Sequence, residues 1–432
     1  MEDETVEDVV APAADTAGGG LLLRLNVGMI FFLFYGFWLV AAVWSRGFFP
    51  SDFLVFHGAG GLFAEGDWEL AYDLDAFQEH LVSEYGSAFV GSEVDTTETL
   101  AHFLNPPPFG WSAQVLGWLP IGPSFAAFAV VNVLLGIVAF RSLDLPMKAL
   151  PILLLSPMMT MNLGLGQTGS LSLIATVGVH LFMTRDRRIA AGLLAGVFIM
   201  KPPLAFGYGL LWLVKHRQYA ISIVMSLVGG LALSLPMLPN GLNPWRAFLA
   251  NAAERTSLDQ RIGGRSLSFA EFVKPFWYTA PTGFTLAIWG IGIGFAAFVL
   301  VSVNRRYRGD IELLSAAAVT VTVMFSPHVL LYDSLILVIP VAVAYTRGAL
   351  NSERVGLVVL LLGFGLSNRL LPTADVLGPV SLDFPALVAA SYLLARWVDE
   401  AVSSNSGKGL GLPVGPDAAA IDRERNDLVI GE

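Results

Sequence analysis

The sequence predicts an all-α polytopic membrane protein, a bundle of about twelve transmembrane helices, and three observations carry that prediction. Hydrophobic residues make up 55% of the 432 and charged residues only 14%, against roughly 25% charged in soluble domains. Apolar segments of spanning or near-spanning length recur along the chain, with prolines and basic clusters between them. The segment 45–108 is long, acidic and almost without Lys or Arg, so it reads as an extracytoplasmic loop. The formal net charge of −10 and the absence of cysteine argue against nucleic acid as a partner and exclude a thiol nucleophile, a disulfide framework and a Cys-ligated metal.

In chain order, residues 1–20 are acidic and read as a disordered tail. They lack the basic start of a cleavable leader, so the apolar segment 21–44 is expected to stay as an anchor. Segment 45–108 holds eleven acids against Arg46 alone. Within it, FLVFHGAGGLFAEG and LDAFQEHLVSEYG have apolar residues at helical spacing and predict amphipathic helices lying along the membrane surface. Three prolines, Pro106 to Pro108, start a helix that reaches only to about Leu119, a half-deep or re-entrant element.

Further apolar segments are 122–140, 148–163, 168–184, 189–200, 203–214, 219–238, 284–303, 311–326, 330–346, 354–371 and 384–398. The basic clusters Arg185/Arg187/Arg188, Lys215/Arg217 and Arg305/Arg306/Arg308 are expected inside. That parity turns 239–283 outward although the loop carries five Lys/Arg, a charge excess that asks for a purpose. Segments 189–200 and 203–214 are each too short to cross and meet at Lys201-Pro202-Pro203, so Lys201 is expected at the apex of two half-helices lining a protected cavity. The intervening 21–400 reads as one transmembrane catalytic domain, and 401–432, rich in Gly, Ser and Pro and then charged, as a disordered cytoplasmic tail.

On this topology Asp52, Asn105, Asn162, Gln167, Lys201, His328 and Asp333 converge on the outer side. Each has a bland alternative: Asn162 and Gln167 as turn-satisfying amides, His328 as a capped turn, Lys201 as a snorkelling lysine. A carboxylate, cations and amides gathered at one depth favour a site, because an ionisable group at the membrane is costly unless it faces a wet cavity or a partner. HExxH, GxSxG and P-loop motifs are all missing; Gly164-Leu165-Gly166 is too short to count, and Asp73 with Asp75 reads as an exposed acidic face. A carboxylate base beside cations suits transfer from a lipid-phosphate donor: the base deprotonates an acceptor hydroxyl and Lys or Arg meets the departing phosphate. A secondary transporter or flippase would also use broken helices with buried charge, but no internal repeat is visible. A non-catalytic scaffold leaves Asp52 and Lys201 without a role.

Five blocks, SDFLVFHGAGGLFAEGDWELAYD (51–73), NPPPF (105–109), NLGLGQTGS (162–170), MKPPL (200–204) and SPHVLLYD (326–333), fall in the order seen in glycosyltransferase family 87, which the chain resembles over roughly residues 25–345. The resemblance implies a GT-C-type bundle, a polyprenyl-phosphate sugar donor, most often mannose, and a lipid or glycan acceptor. It implies an inverting reaction without metal or cofactor at the extracytoplasmic face of the plasma (inner) membrane. It makes Asp52 the catalytic base. With that reading, Asp52 and His328 are the candidate catalytic residues, and Lys201, Arg261 and Arg265 are the donor-phosphate cations. Asn105, Asn162, Gln167, Asp333 and His57 are the candidate substrate contacts. Phe56 stands where the family commonly has a tyrosine, and Asn105 begins the proline run where a tyrosine is usual.

Overall fold

In a computed structural model the described residues are 51–86, 103–251, 269–273, 282–307, 309–326, 329–351 and 383–407, with 354, 355, 357, 358 and 361. The anchor 21–44, His328, Arg261, Arg265, the tail 1–20 and the end of the chain from 408 lie outside them. Among the described residues every regular element is helical.

Helix α1, Ser51–Glu65, differs from the surface helix expected there. Its residues 53–60 are all buried, because FLVFHGAG offers no polar stripe and a helix apolar on every side goes to the interior. Asp67 precedes the short α2, Trp68–Tyr72, and Asp73 caps α3, Leu74–Tyr85, by accepting the Ala76 amide at 3.0 Å. Here the amphipathic reading holds, with Phe77 and Leu81 buried one turn apart and Glu79 and Glu84 exposed. Helix α4, Pro107–Gly117, opens on proline as expected. Its 11 residues rise only about 16 Å, roughly half a bilayer core.

Glycines set the contact of α4 with α1. A Cβ at Gly60 would stand 2.2 Å from the Ala113 carbonyl oxygen, and one at Gly117 would stand 2.5 Å from the Gly61 nitrogen. The two backbones touch, which is how helices associate where lipid removes the hydrophobic drive. Around that contact Phe56, Phe63, Tyr72, Phe103 and Phe109 form an aromatic core with α2 and α3.

The bundle follows. Helix α5 is Ile121–Ser142. The single segment expected at 148–163 is instead broken by Pro151 and Pro157 into a 3-10 turn at Met147–Ala149, α6 at Leu150–Leu154 and α7 at Pro157–Gly164. Helix α8 is Gly169–Thr184. Helix α9, Arg188–Ala195, tightens into the 3-10 turn Gly196–Met200 and stops at Lys201, whose φ −147° and ψ 73° leave the helical region. The chain resumes as a 3-10 turn at Pro202–Ala205 and α10 at Phe206–Val214. Helix α11, His216–Ser234, ends in the turn Leu235–Asn240, and residues 243–251 are helical. Then come α12, Phe269–Val273, α13, Thr282–Arg306, and α14, Ile311–Phe325. The 3-10 turn Leu331–Leu337 leads into α15, Val338–Thr346, and α16 is Asp383–Gly407. Helix α16 therefore runs past residue 400, where a disordered tail was expected.

Among the described residues, Ile121–Ser142, His216–Asn240 and Leu286–Arg306 are long and apolar enough to cross a bilayer, while five further apolar helices are shorter. The short ones form the interior: α8 and α14 bury most of their residues, in one apolar core with α9 and α10.

Candidate active site

Asp52 lies in the first turn of α1, where the sequence turns from the apolar FFP run into a helix. Its Oδ2 accepts a hydrogen bond from Gln167 Nε2 at 2.6 Å. Gln167 belongs to the turn between α7 and α8, and this turn is seated directly on the start of α1. Gly166 has φ +70°, and a Cβ there would lie 2.3 Å from the Phe53 Cβ. Only glycine meets both demands at once. Phe53 in turn packs edge-on against Phe125 of α5, with ring centroids 5.1 Å apart.

Asn162 holds the turn from within. It is fully buried; its Nδ2 donates to Asn132 Oδ1 at 3.0 Å and to Ser170 Oγ at 3.2 Å, and its Oδ1 accepts the Gly169 amide at 2.5 Å. Its backbone carbonyl accepts the Gln167 amide at 2.7 Å. Asn162 thus fixes the residue that touches Asp52. Asn132 was not singled out in the sequence, although a lone amide inside the apolar run AVVNVLLG is a recognisable signal.

The far side of the same turn meets the second half of the site. A Cβ at Gly169 would stand 2.7 Å from the Tyr332 carbonyl oxygen. Next to Tyr332, Asp333 is almost wholly buried and takes Lys201 Nζ on Oδ1 at 2.5 Å, while its Oδ2 accepts the Leu330 amide at 3.2 Å. The Lys201 ammonium also sits 4.5 Å from the centroid of the Tyr332 ring, a cation–π contact. Lys201 keeps 21% of its side chain exposed against 1% for Asp333, so the cation is the member of the pair that faces outward. Ser326 Oγ donates to the Pro203 carbonyl at 2.9 Å, which brings the run that leads to His328 against the Lys201 bend.

The other expected site residues stand apart from this line. His57 is buried between Tyr85 Oη, 2.6 Å from its Nδ1, and the Leu119 carbonyl oxygen, 2.9 Å from its Nε2. It ties α1 to α3 and to the end of α4. Asn105 is half-buried, and its carbonyl accepts the Tyr72 hydroxyl at 2.9 Å. Burial pushes the Tyr72 phenol far above its ordinary range, so it serves as a fixed donor. His328, Arg261 and Arg265 are outside the described residues. Among the described residues no group of three His, Asp or Glu side chains could hold a metal.

The 162–170 turn thus meets the Asp52 carboxylate through Gln167 and, through Gly169, the Tyr332–Asp333 segment that holds Lys201. The model of one family matches residues 103–332, more than half of the chain. That stretch contains Asn105, Asn162, Gln167, Lys201 and the basic loop, with Asp52 and Asp333 on its flanks. No curated protein and no solved structure matches the chain. The family is described as glycosyltransferase family 87, and the chain belongs to it.

Proposed function

We propose that this glycosyltransferase moves a sugar, mannose in the reading the family resemblance favours, from a polyprenyl-phosphate donor to a lipid or glycan acceptor. The reaction takes place on the extracytoplasmic face of the plasma membrane. Asp52 takes the proton from the acceptor hydroxyl, whose oxygen attacks the anomeric carbon from the side opposite the phosphate. The bond between that carbon and the phosphate-ester oxygen breaks, its electron pair stays on the phosphate, and the anomeric configuration inverts. Lys201 meets the charge that grows on the leaving phosphate. His328 and the loop arginines Arg261 and Arg265 are assigned to the same anionic side. Gln167 orients Asp52 and Asp333 orients Lys201, while Asn162, His57 and Asn105 hold the framework around them.

The observation that supports this most directly is the shared turn. Gln167 at one end is bonded to Asp52, and Gly169 at the other end abuts Tyr332, beside the Lys201–Asp333 pair. A base and a cation carried by segments that pack on neighbouring residues of one turn suit a donor sugar bound beside that turn.

Purified protein incubated with polyprenyl-phosphate mannose and a membrane lipid extract tests the reading by the mass of the lipid-linked product. Asp52→Asn retains an acceptor oxygen for Gln167 but has no base, and turnover is expected to fall by about 10²–10⁴-fold. Turnover near that of the wild type removes Asp52 from the chemistry.

A further inference from the structure

A cleft of about 400 Å³, separate from the residues assigned to the reaction, opens between α2 and the helical residues 243–251. Trp68, Glu69, Tyr72, Asp73, Asn243 and Asn251 line it, with two alanines. The segment 243–251 is held to α2 by Phe248, whose ring lies edge-on to Tyr72 at 6.3 Å. It is also held by Asn251, whose Nδ2 donates to the Tyr72 carbonyl at 3.2 Å.

That last bond fixes which way the Asn251 amide points, since only its NH₂ can face a carbonyl. Among the described residues its Oδ1 has no hydrogen-bond partner, on a side chain that is itself 4% exposed. A buried acceptor without a donor is a rare and costly state that a ligand would relieve. Of the other polar groups at the cleft, Asn243 accepts Arg246 Nη1 on its Oδ1 at 3.5 Å and keeps its NH₂ as a donor, while the carboxylates add acceptors. Glu69 and Asp73 are exposed carboxylates, whose oxygens accept hydrogen bonds. The Tyr72 hydroxyl is already committed to the Asn105 carbonyl. A cleft rich in acceptors and walled by aromatic rings calls for a ligand rich in donors with apolar faces, and two carboxylates disfavour an anion.

We infer that this cleft binds the hydroxyl-rich, uncharged part of a ligand, a sugar ring or a cyclic polyol, through Glu69, Asp73 and Asn251. This deepens the proposed transfer reaction and rests on it for the ligand's identity as the acceptor: α1 separates Asp52, at its start, from α2, beyond its end, by about 15–20 Å of helix, so the cleft would hold a ring of the acceptor remote from the hydroxyl that Asp52 activates.

The test is an equilibrium measurement that needs no turnover. Methyl α-mannopyranoside and myo-inositol, each offered to the full-length protein in detergent, are followed by saturation-transfer NMR. Variants are Glu69→Ala and Asp73→Ser, both at exposed positions, the second keeping a side chain able to cap α3. Wild-type protein is expected to give saturation transfer from at least one probe, with affinity about tenfold or more weaker in each variant. The Asn251→Ala variant should show the same loss. No transfer in the wild type, or transfer unchanged in Glu69→Ala and Asp73→Ser, overturns the inference. So does calcium binding that these variants abolish in the absence of any sugar signal, which would make the carboxylates a cation site. If Asp52→Asn keeps full turnover while the cleft variants lose probe binding, the reaction assignment fails and the binding site stands.

Discussion

Lys201 and Asp333 lie 132 positions apart in sequence, yet each has the other as its ionic partner. Removing one member of such a buried pair leaves an uncompensated charge and typically costs about 3–5 kcal/mol. Lys201→Ala alone should therefore lower the melting temperature in detergent. The double variant Lys201→Ala/Asp333→Asn should recover much of that loss, because no buried charge is then stranded. Activity should behave differently. If Lys201 meets the leaving phosphate, turnover at saturating donor stays about 10²-fold down in both variants. Recovery of turnover along with stability would make the pair purely structural. Both residues stand out in sequence as ionisable groups that do not suit a bilayer, but their pairing has no local signature. The same holds for Gln167 with Asp52 and for the Tyr332 ring under the Lys201 ammonium.

At the level of elements, the Lys201 break was readable because two consecutive prolines forbid a continuous helix. The short halves at 189–200 and 203–214 reappear almost unchanged as Arg188–Met200 and Pro202–Val214. Two readings fell short. The segment 148–163 is one apolar stretch by composition, but Pro151 and Pro157 divide it into two short helices. The run FLVFHGAGGLFAEG, expected as an amphipathic helix on the membrane surface, lies in α1 with residues 53–60 buried, since that part carries no polar stripe to face water. The α1–α4 contact offers a sharp test of that packing. Gly60→Ala places a methyl 2.2 Å from the Ala113 carbonyl oxygen, whereas a Cβ at neighbouring Gly61 meets nothing within 4 Å. Thermal unfolding should show Gly60→Ala destabilised by about 1–3 kcal/mol. Gly61→Ala should be neutral or stabilised by up to about 1 kcal/mol, as expected for alanine in a helix. Equal effects of the two changes would mean that α1 and α4 do not touch as described.

At the scale of the whole molecule, the proposed orientation follows from where Lys and Arg are scarce, and a cysteine-free chain makes it simple to check. Glu79 on the exposed side of α3, replaced by cysteine, should react with a membrane-impermeant thiol reagent in intact cells; protection until the cells are lysed would invert the topology. The long helices α5, α11 and α13 stand mostly outward, and the short α8 and α14 fill the centre. Leading away from the site, α8 carries Leu173 and Val177, and α14, which ends at the site, carries Leu314, Ala318 and Val321, all buried in one apolar core with Leu211. The proposed site therefore has a packed floor, apolar except for buried hydroxyls and a hydrogen-bonded set in which Ser315 Oγ lies 2.9 Å from His180 Nδ1 and 2.8 Å from Tyr208 Oη. In the proposed reaction donor and acceptor come and go at one face, and a packed floor gives ions no path to the other. Proteoliposomes carrying it should hold a proton gradient as tightly as empty vesicles, with or without polyprenyl-phosphate sugar. A donor-dependent leak would instead mark a path through the floor, as a transporter needs and a transferase does not.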